Sequence, residues 1–196
     1  YRGGVHLALG DVDRDGRAEV IVGADGTGQF SAMRQVRVYD VATGDMKAIF
    51  RTTGAALGRD GTRPHGGVRV AVRDMNNDGR GDVITATGRG SVQHVGVRSL
   101  GGESTGPIGG RLVNVGAGTG AVFVAATNRD PEGPPEVIVS LPGRLQSFTL
   151  DGAGGLSAAG SIQTGIADGP RPIGSVDINR NNVAEVVIGG LSGGIG

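Results

Sequence analysis

Apolar residues at alternate positions run through the chain and predict short β-strands. The pattern is plain in GVHLAL at 4–9 and in QVRVYDV at 35–41, where apolar and polar side chains alternate. A period of two residues is typical of strands, and no segment keeps the longer period of an amphipathic helix. The pattern therefore predicts an all-β protein.

Pairs of apolar runs, each pair flanking a polar loop, recur four times along the chain. The repeats start at Gly3, Gly66, Gly120 and Gly169, and their loops start at Asp11, Asp74, Asn128 and Asp177, which are 63, 54 and 49 residues apart. Units of this length fit the blade of a β-propeller better than they fit most solenoid repeats.

Two further strands are predicted after each of the first three pairs. The third strands are Val36–Asp40, Val92–Val97 and Leu145–Leu150, and the weaker fourth strands are Met46–Phe50, Arg111–Val115 and Leu156–Ile162. Four antiparallel strands joined by Gly-rich turns make a propeller blade. We therefore expect a partial β-propeller of about three and a half blades, at roughly 3–63, 66–118, 120–168 and 169–196, with the last repeat incomplete.

This number of blades falls short of a closed propeller, which typically has about 4–8. The sequence therefore predicts that either further chain or further copies of the chain complete the ring. Further chain is the preferred prediction, because strands beyond Gly196 would complete the fourth repeat.

Composition agrees with this fold and excludes several kinds of function. Glycine contributes 40 of the 196 residues and aromatics only 3%, which disfavours helices. Nineteen basic and nineteen acidic side chains cancel without a basic stripe, so nucleic acid is not an expected partner. Cysteine is absent, which excludes disulfides and thiolate sites, and no apolar run is long enough for a membrane-spanning helix.

Acidic side chains are concentrated in the first of the four loops, residues 11–19, named loop 1. Positions 1, 3, 5 and 9 of this loop are Asp11, Asp13, Asp15 and Glu19. Gly16 at position 6 permits a turn with positive φ, and Arg17 at position 7 offers its backbone carbonyl. Hard oxygen ligands at this density suit Ca²⁺, which takes about six to eight of them.

The same spacing returns in loop 2 (74–82), loop 3 (128–136) and loop 4 (177–185). The expected ligands are Asp74, Asn76, Asp78, the Arg80 carbonyl and Asp82 in loop 2; Asn128, Asp130, Glu132, the Pro134 carbonyl and Glu136 in loop 3; and Asp177, Asn179, Asn181, the Val183 carbonyl and Glu185 in loop 4. Negative side chains number four in loop 1, three in loops 2 and 3, and two in loop 4. We expect the affinity for calcium to fall in that order, with up to four ions bound.

Two other interpretations of the loops were weighed. An EF-hand needs a glutamate at position 12 and flanking helices, whereas position 12 here falls inside predicted strands, at Val22, Thr85, Val139 and Ile188. Alternatively, Asp, Asn and Gly serve only as turn formers. Four loops in register, each with an acid at position 9 before an apolar strand, favour metal ligation over that alternative.

The repeats resemble the FG-GAP or VCBS-type repeats of the integrin α-chain propeller and of many bacterial secreted proteins. The motif D-x-D-x-D-G-x-x-D/E carries the resemblance, and GGVRVAVRDMNNDGRGDVITATG from Gly66 is very similar to the bacterial version. The resemblance implies that each loop joins the first two strands of a blade and binds Ca²⁺. Glu132 at position 5 of loop 3, and Asn181 with Asn182 at positions 5 and 6 of loop 4, depart from the motif.

Three other motifs imitate functional sites. The run 116–121 fits a dinucleotide-binding fingerprint, but a strand rather than a helix is predicted after it. The tripeptide 80–82 spells Arg-Gly-Asp, but its Asp82 is an expected metal ligand. The three histidines, His6, His65 and His94, are scattered and have no catalytic partner at a telling spacing.

These features predict a structural role for the metal, which would crosslink the corner of each thin, Gly-rich blade. Weak calcium sites suit extracellular modules, so a secreted or cell-surface location is expected. The leading functional hypothesis is a binding or scaffold module for a protein or a glycan. The alternatives are the propeller of a carbohydrate-active enzyme or lectin, and a structural subunit of a surface layer or filament. An enzymatic role is less favoured than a non-enzymatic one.

Overall fold

The computed structural model describes residues 4–25, 35–52, 67–87, 93–100, 106–116, 122–130, 132–151, 155–165, 169, 171–181 and 183–189. These residues form strands, turns and loops without a helix. None of them belongs to an apolar helix that could cross a membrane.

The described strands form four antiparallel sheets that follow each other along the chain. Blade 1 contains β1 (Val5–Gly10), β2 (Glu19–Ala24), β3 (Gln35–Asp40) and β4 (Met46–Arg51). Blade 2 contains β5 (Val68–Arg73), β6 (Asp82–Thr87), β7 (Gln93–Ser99) and β8 (Gly106–Gly116). Blade 3 contains β9 (Phe123–Thr127), β10 (Glu136–Leu141), β11 (Arg144–Leu150) and β12 (Leu156–Gln163), and blade 4 contains β13 (Ile173–Val176) and β14 (Glu185–Ile188).

Each strand pairs with its neighbour in chain order, which is the meander of a propeller blade. The prediction of an all-β, partial propeller with four-stranded blades is confirmed. The largest difference from the predicted bounds is that β8 begins at Gly106 rather than at Arg111, whereas the other described third and fourth strands differ by one or two residues at their ends. Val92, predicted to begin the third strand of the second repeat, lies outside the described residues.

The core lies between consecutive blades rather than inside any one of them. Ile21 and Val38 of blade 1 are fully buried in one apolar cluster with Val68 and Val83 of blade 2. A second cluster joins Met75, Ile84, Ala86, Val95, Val97 and Val115 of blade 2 to Val122, Val124, Ala126, Val137, Val139, Leu141, Phe148 and Leu156 of blade 3. The alternation of the sequence thus gives each blade two apolar faces, one for each neighbour.

Glycine lets these sheets approach closely. A Cβ atom built on Gly23 in β2 would lie 2.3 Å from the carbonyl oxygen of Val68 in blade 2. Arginines fill the wider gaps: the guanidinium of Arg98 lies 4.8 Å from the ring centroid of Phe50 in blade 1. The small blades are therefore held together by backbone proximity and a few long side chains.

The two end blades leave apolar faces uncovered by the described residues. Val68 and Val70 of β5 are 0% and 8% exposed against blade 1, whereas their counterparts in β1, Val5 and Leu7, are 48% and 61% exposed. Leu9 is 66% exposed in the same row. At the other end, the exposed apolar residues of blade 4 and its loop are Val176, Ile178 and Val187.

Candidate metal centres

Strand register places the four loops at the same corner of each blade. The residue before each loop pairs with the acid at position 9, in the pairs Gly10 with Glu19, Arg73 with Asp82, Thr127 with Glu136, and Val176 with Glu185. Position 12 falls inside β2, β6, β10 and β14, which confirms the prediction that it lies in a strand and not in an EF-hand. Each closing acid therefore begins the second strand of its blade.

Three of the loops share one hydrogen bond that closes the turn. The acid at position 9 accepts the backbone amide of position 2 at 2.9 Å, from Val12 in loop 1, Met75 in loop 2 and Ile178 in loop 4. This bond occupies only one carboxylate oxygen of each acid. It ties the end of the loop to its beginning without any metal.

The side chain at position 1 organises the turn in the first two loops. Asp11 accepts the amides of Arg14 at 2.6 Å and Gly16 at 2.8 Å, and Asp74 accepts the amide of Gly79 at 2.8 Å. Gly16 and Gly79 both have φ of +83°, which confirms the positive φ predicted at position 6.

A left-handed residue at position 4 was not predicted from the sequence. Arg14, Asn77 and Arg180 have φ of 66°, 58° and 59° in loops 1, 2 and 4. Only Asn77 is a residue type that favours this region, so the sequence carried a signal in one loop of the three.

Loop 1 brings its carboxylates together around a cationic side chain that the sequence analysis missed. Ligand atoms of Asp11, Asp13 and Asp15 lie within 4.8 Å of one another, as do those of Asp15, Glu19 and Asp40. Lys47 Nζ is 2.7 Å from Asp13 Oδ2, 2.8 Å from Glu19 Oε1, 3.4 Å from Asp40 Oδ2 and 3.5 Å from Asp15 Oδ2. The hydrogen bonds to Asp13 and Glu19 raise the pKa of Lys47 above its ordinary value.

Loop 2 holds a buried carboxylate that lacks a full set of partners. Asp82 is 0% exposed, and its Oδ2 accepts the amide of Met75 at 2.9 Å. Its buried Oδ1 has no hydrogen-bond partner among the described residues. Burial raises the pKa of Asp82 to about 6, and the nearby carboxylates of Asp78 and Asp74 contribute to the rise, whereas hydrogen bonds from the Met75 amide and the Ser99 side chain oppose it. A cation here would relieve both the desolvation and the repulsion.

Loop 3 is built differently, around Arg129 at position 2. Arg129 donates two hydrogen bonds to the carboxylate of Glu136, from Nε and Nη2, and a third from Nη2 to Ser147 Oγ at 3.2 Å. The guanidinium lowers the pKa of Glu136 below its ordinary value, although burial opposes this. Asn128 Oδ1 is buried and has no hydrogen-bond partner among the described residues.

The remaining contacts of loop 3 are local. The side chain of Asp130 accepts the amide of Glu132 at 3.0 Å. Gly133 at position 6 has no positive φ, unlike its counterparts in loops 1 and 2.

Loop 4 keeps the shared turn but is exposed. The side chains of Asp177 and Asn179 both accept the amide of Asn181 at 3.1 Å, and Asn181 Oδ1 accepts that of Val183 at 2.8 Å. Glu185 Oε1 also accepts Asn179 Nδ2 at 3.2 Å. Asn182 lies outside the described residues. Ligation by the position-7 carbonyls of Arg17, Arg80, Pro134 and Val183 stays a prediction.

Loops 1 and 2 contact each other through arginines. Arg80 Nη1 donates to the carbonyl oxygen of Asp13 at 2.7 Å, and Arg14 Nη1 donates to that of Asp78 at 3.3 Å. Each guanidinium thus reaches the neighbouring loop rather than its own. Neighbouring candidate sites are mechanically joined.

The other motifs take positions that argue against the functions they imitate. Asp82 of the Arg-Gly-Asp tripeptide is buried, so it is not displayed for adhesion. His6 lies in β1 and His94 in β7, while His65 lies outside the described residues. Residues 117–121 also lie outside them, and the strand β9 follows at Phe123, where a dinucleotide fingerprint would need a helix.

Comparison with known proteins agrees with this geometry. Residues 3–33, which contain loop 1, match the family model described as FG-GAP repeat. No curated protein matches the chain in sequence.

Solved structures match the fold over nearly the whole chain. The exotype rhamnogalacturonan lyase YesX superposes with a TM-score of 0.60 at 16% identity over 95% of this chain and 38% of that one. Rhamnogalacturonan lyase YesW gives 0.59 at 13% identity, over 95% of this chain and 40% of that one. The Bacillus licheniformis rhamnogalacturonan lyase PL11 gives 0.60 at 15% identity with the same coverages of 95% and 40%.

This chain therefore spans about two-fifths of the length of those lyases, and identities this low establish the fold alone. Residues 3–33 match the FG-GAP repeat, and the chain as a whole has the fold of part of a β-propeller.

Proposed function

We propose that this chain is a calcium-stabilised part of an extracellular β-propeller that serves as a binding or scaffold module. The observation that carries the calcium proposal is Asp82, a fully buried carboxylate with one unpartnered oxygen beside the carboxylates of Asp74 and Asp78. Leaving such a charge without a partner is costly, and a bound cation offsets that cost.

The donor set fits calcium rather than a softer metal. Loops 1 and 2 offer carboxylate, amide and backbone oxygens, and neither contains histidine or cysteine. Calcium accepts such oxygen ligands in a flexible shell and binds extracellular modules at about 10⁻⁴ to 10⁻³ M. When bound, it would supply positive charge that holds the two strands of the corner together.

A variant of Asp82 tests this proposal. In EGTA, Asp82→Asn should melt at a higher temperature than the wild type, because it removes the buried uncompensated charge. In millimolar calcium the order should reverse, because the wild type gains the ion and the variant loses a ligand. Asp45→Asn is the control, since Asp45 is exposed and lies outside the four loops, so it should melt like the wild type in both conditions. Equal melting temperatures for the wild type in both conditions would count against calcium.

The binding role needs a separate test. The apolar faces of the end blades suit packing against further blades, which leaves the loops and rims to contact a protein or glycan. A glycan array probed with and without calcium should show calcium-dependent retention of the chain on a defined set of glycans. Absence of binding to any glycan would redirect the proposal to a protein ligand or a scaffold role.

The likeness to rhamnogalacturonan lyases supports a second candidate, a part of a carbohydrate-active enzyme. Its test is the ultraviolet absorbance of an unsaturated product when the chain is incubated with rhamnogalacturonan. The interaction-module proposal predicts no increase in absorbance above a buffer blank. A calcium-dependent increase would favour the enzyme.

A further inference from the structure

The closing acids of loops 1, 2 and 3 differ in whether a basic side chain pairs with them. Glu19 in loop 1 has Lys47 Nζ at 2.8 Å, and Glu136 in loop 3 is held by the guanidinium of Arg129. Asp82 in loop 2 forms no ion pair with a lysine or arginine in the described part of the chain, and its Oδ1 has no hydrogen-bond partner there.

We propose that Lys47 is a built-in cation of loop 1 that calcium must displace, so that loop 2 and not loop 1 is the tighter calcium site. The inference rests on the proposed function, since it concerns how calcium is distributed among the loops. It reverses the order expected from the number of negative side chains, which placed loop 1 first.

The geometry around Lys47 carries this step. Its ammonium lies within 2.7–3.5 Å of carboxylate oxygens from Asp13, Asp15, Glu19 and Asp40, three of which are expected calcium ligands. An ammonium and a calcium ion cannot share those oxygens, because both are cations that need the same lone pairs. Calcium binding to loop 1 must therefore break the ion pairs of Lys47, and that cost weakens the observed affinity.

At the described pairing of β7 with β8, no residue of blade 2 corresponds to Lys47. Asp40 and Ser99 occupy matching ends of β3 and β7. In blade 1, Lys47 lies in β4 directly after Met46, and Met46 pairs with Tyr39, the neighbour of Asp40. In blade 2 the residues of β8 that pair with Arg98 and Ser99 are Pro107 and Gly106, which carry no charge. Loop 2 therefore has a buried acid and repelling neighbours, and no lysine or arginine of the described residues forms an ion pair with its carboxylates.

Loop 3 also carries its own cation, Arg129. The fork of Arg129 occupies both oxygens of Glu136, which is the bidentate geometry that arginine holds best. Since the acid that would close the metal shell is already paired, loop 3 should bind calcium more weakly than loop 2. The inferred order thus places loop 2 first and leaves loops 1 and 3 held by their own cations.

One titration reports on loops 1 and 2 separately. The amides of Gly16 and Gly79 donate to Asp11 and Asp74 at 2.8 Å in each loop, so their nitrogen–proton resonances should shift when calcium enters. In the ¹⁵N-labelled chain titrated with calcium chloride, Gly79 should reach its midpoint at a concentration about tenfold lower than Gly16. This wild-type comparison needs no variant and so does not depend on a variant folding.

Lys47→Met removes the competing cation and tests its role directly. We expect the Gly16 midpoint to fall by about tenfold in this variant while the Gly79 midpoint stays within about twofold. Arg51→Met is the matched control, because Arg51 lies at the other end of β4 and its substitution also removes one positive charge. It should leave both midpoints within about twofold of the wild type.

The outcomes separate this inference from the proposed function. If both glycines respond to calcium but Gly16 titrates first, or Lys47→Met leaves the Gly16 midpoint unchanged, the role of Lys47 is wrong and calcium binding stands. If neither amide responds to calcium in the wild type or in Lys47→Met, the calcium proposal itself fails and this inference fails with it.

Discussion

The backbone amide of Gly81 donates a hydrogen bond of 2.6 Å to the carbonyl oxygen of Asp11. It joins position 8 of loop 2 to position 1 of loop 1. Asp11 is itself an expected ligand, and Gly81 precedes the expected ligand Asp82. Loops 4 and 3 are joined in the same way, with the amide of Ala184 3.0 Å from the carbonyl oxygen of Asn128. Position 8 of loop 3 is Pro135, which has no N–H to offer loop 2. The loops are therefore tied in two pairs.

Substitution of Gly81 should destabilise the contact between blades 1 and 2. A Cβ atom at this position would lie 2.6 Å from Val72 Cγ1 and 3.0 Å from the carbonyl oxygen of Asp11. We expect Gly81→Ala to lower the free energy of unfolding by about 1–3 kcal/mol, the usual cost of overpacking. Chemical denaturation measures it.

Gly174 in β13 provides the control for that substitution. A Cβ atom there meets nothing within 4 Å, so Gly174→Ala should change stability by less than about 0.5 kcal/mol. An equal loss of unfolding free energy in the two variants would mean that the close contact at Gly81 does not contribute to stability.

The two apolar faces of blade 1 should respond very differently to truncation. Ile21 is 0% exposed in the core with blade 2, so Ile21→Ala should cost about 2–5 kcal/mol of unfolding free energy. Leu9 is 66% exposed, so Leu9→Gln should cost less than about 0.5 kcal/mol.

The exposed face should also govern association. Leu9→Gln, by making that face polar, should reduce concentration-dependent self-association in sedimentation velocity. A large loss of stability in Leu9→Gln would show that the face is covered within the single chain.

Titration of His6 should make stability depend on pH. Burial, with the guanidinium of Arg69 adding to it and Asp25 opposing it, lowers the pKa of His6 below its ordinary value. The unfolded chain then binds a proton more readily than the folded one, so stability falls as the pH drops through about 6.5 towards the folded pKa.

Denaturation of the wild type and of His6→Gln at several pH values between about 7.5 and 5 isolates this effect. The wild type should lose more stability than the variant over this range, and the difference between them is the contribution of His6. Parallel curves would mean that His6 keeps the same pKa on unfolding.

The strands and the loops were legible in the sequence because both are local. Alternation fixes the strand, and Asp, Asn and Gly at set positions fix the turn. The cation that neutralises loop 1 was not legible, because Lys47 reaches that loop only through the register of β2, β3 and β4. That register includes an irregularity between Val38 and Tyr39, which the sequence pattern does not predict.

Arg129 was a missed signal rather than a hidden one. Position 2 is apolar in the other loops, where Val12 and Met75 point into the core between blades. An arginine at position 2 of loop 3 could have been recognised as the ion-pair partner of Glu136 at position 9 of the same loop. Counting only negative side chains left it out.

The central claim is that calcium holds the blade corners together, and thermal unfolding of the wild-type chain tests it most directly. The melting temperature should be measured in EGTA, in millimolar magnesium and in millimolar calcium. At about ten times the dissociation constant, calcium contributes roughly 1.4 kcal/mol for each site, or a rise of several degrees. We expect that rise with calcium and little change with magnesium. An identical melting temperature in EGTA and in calcium would contradict the account.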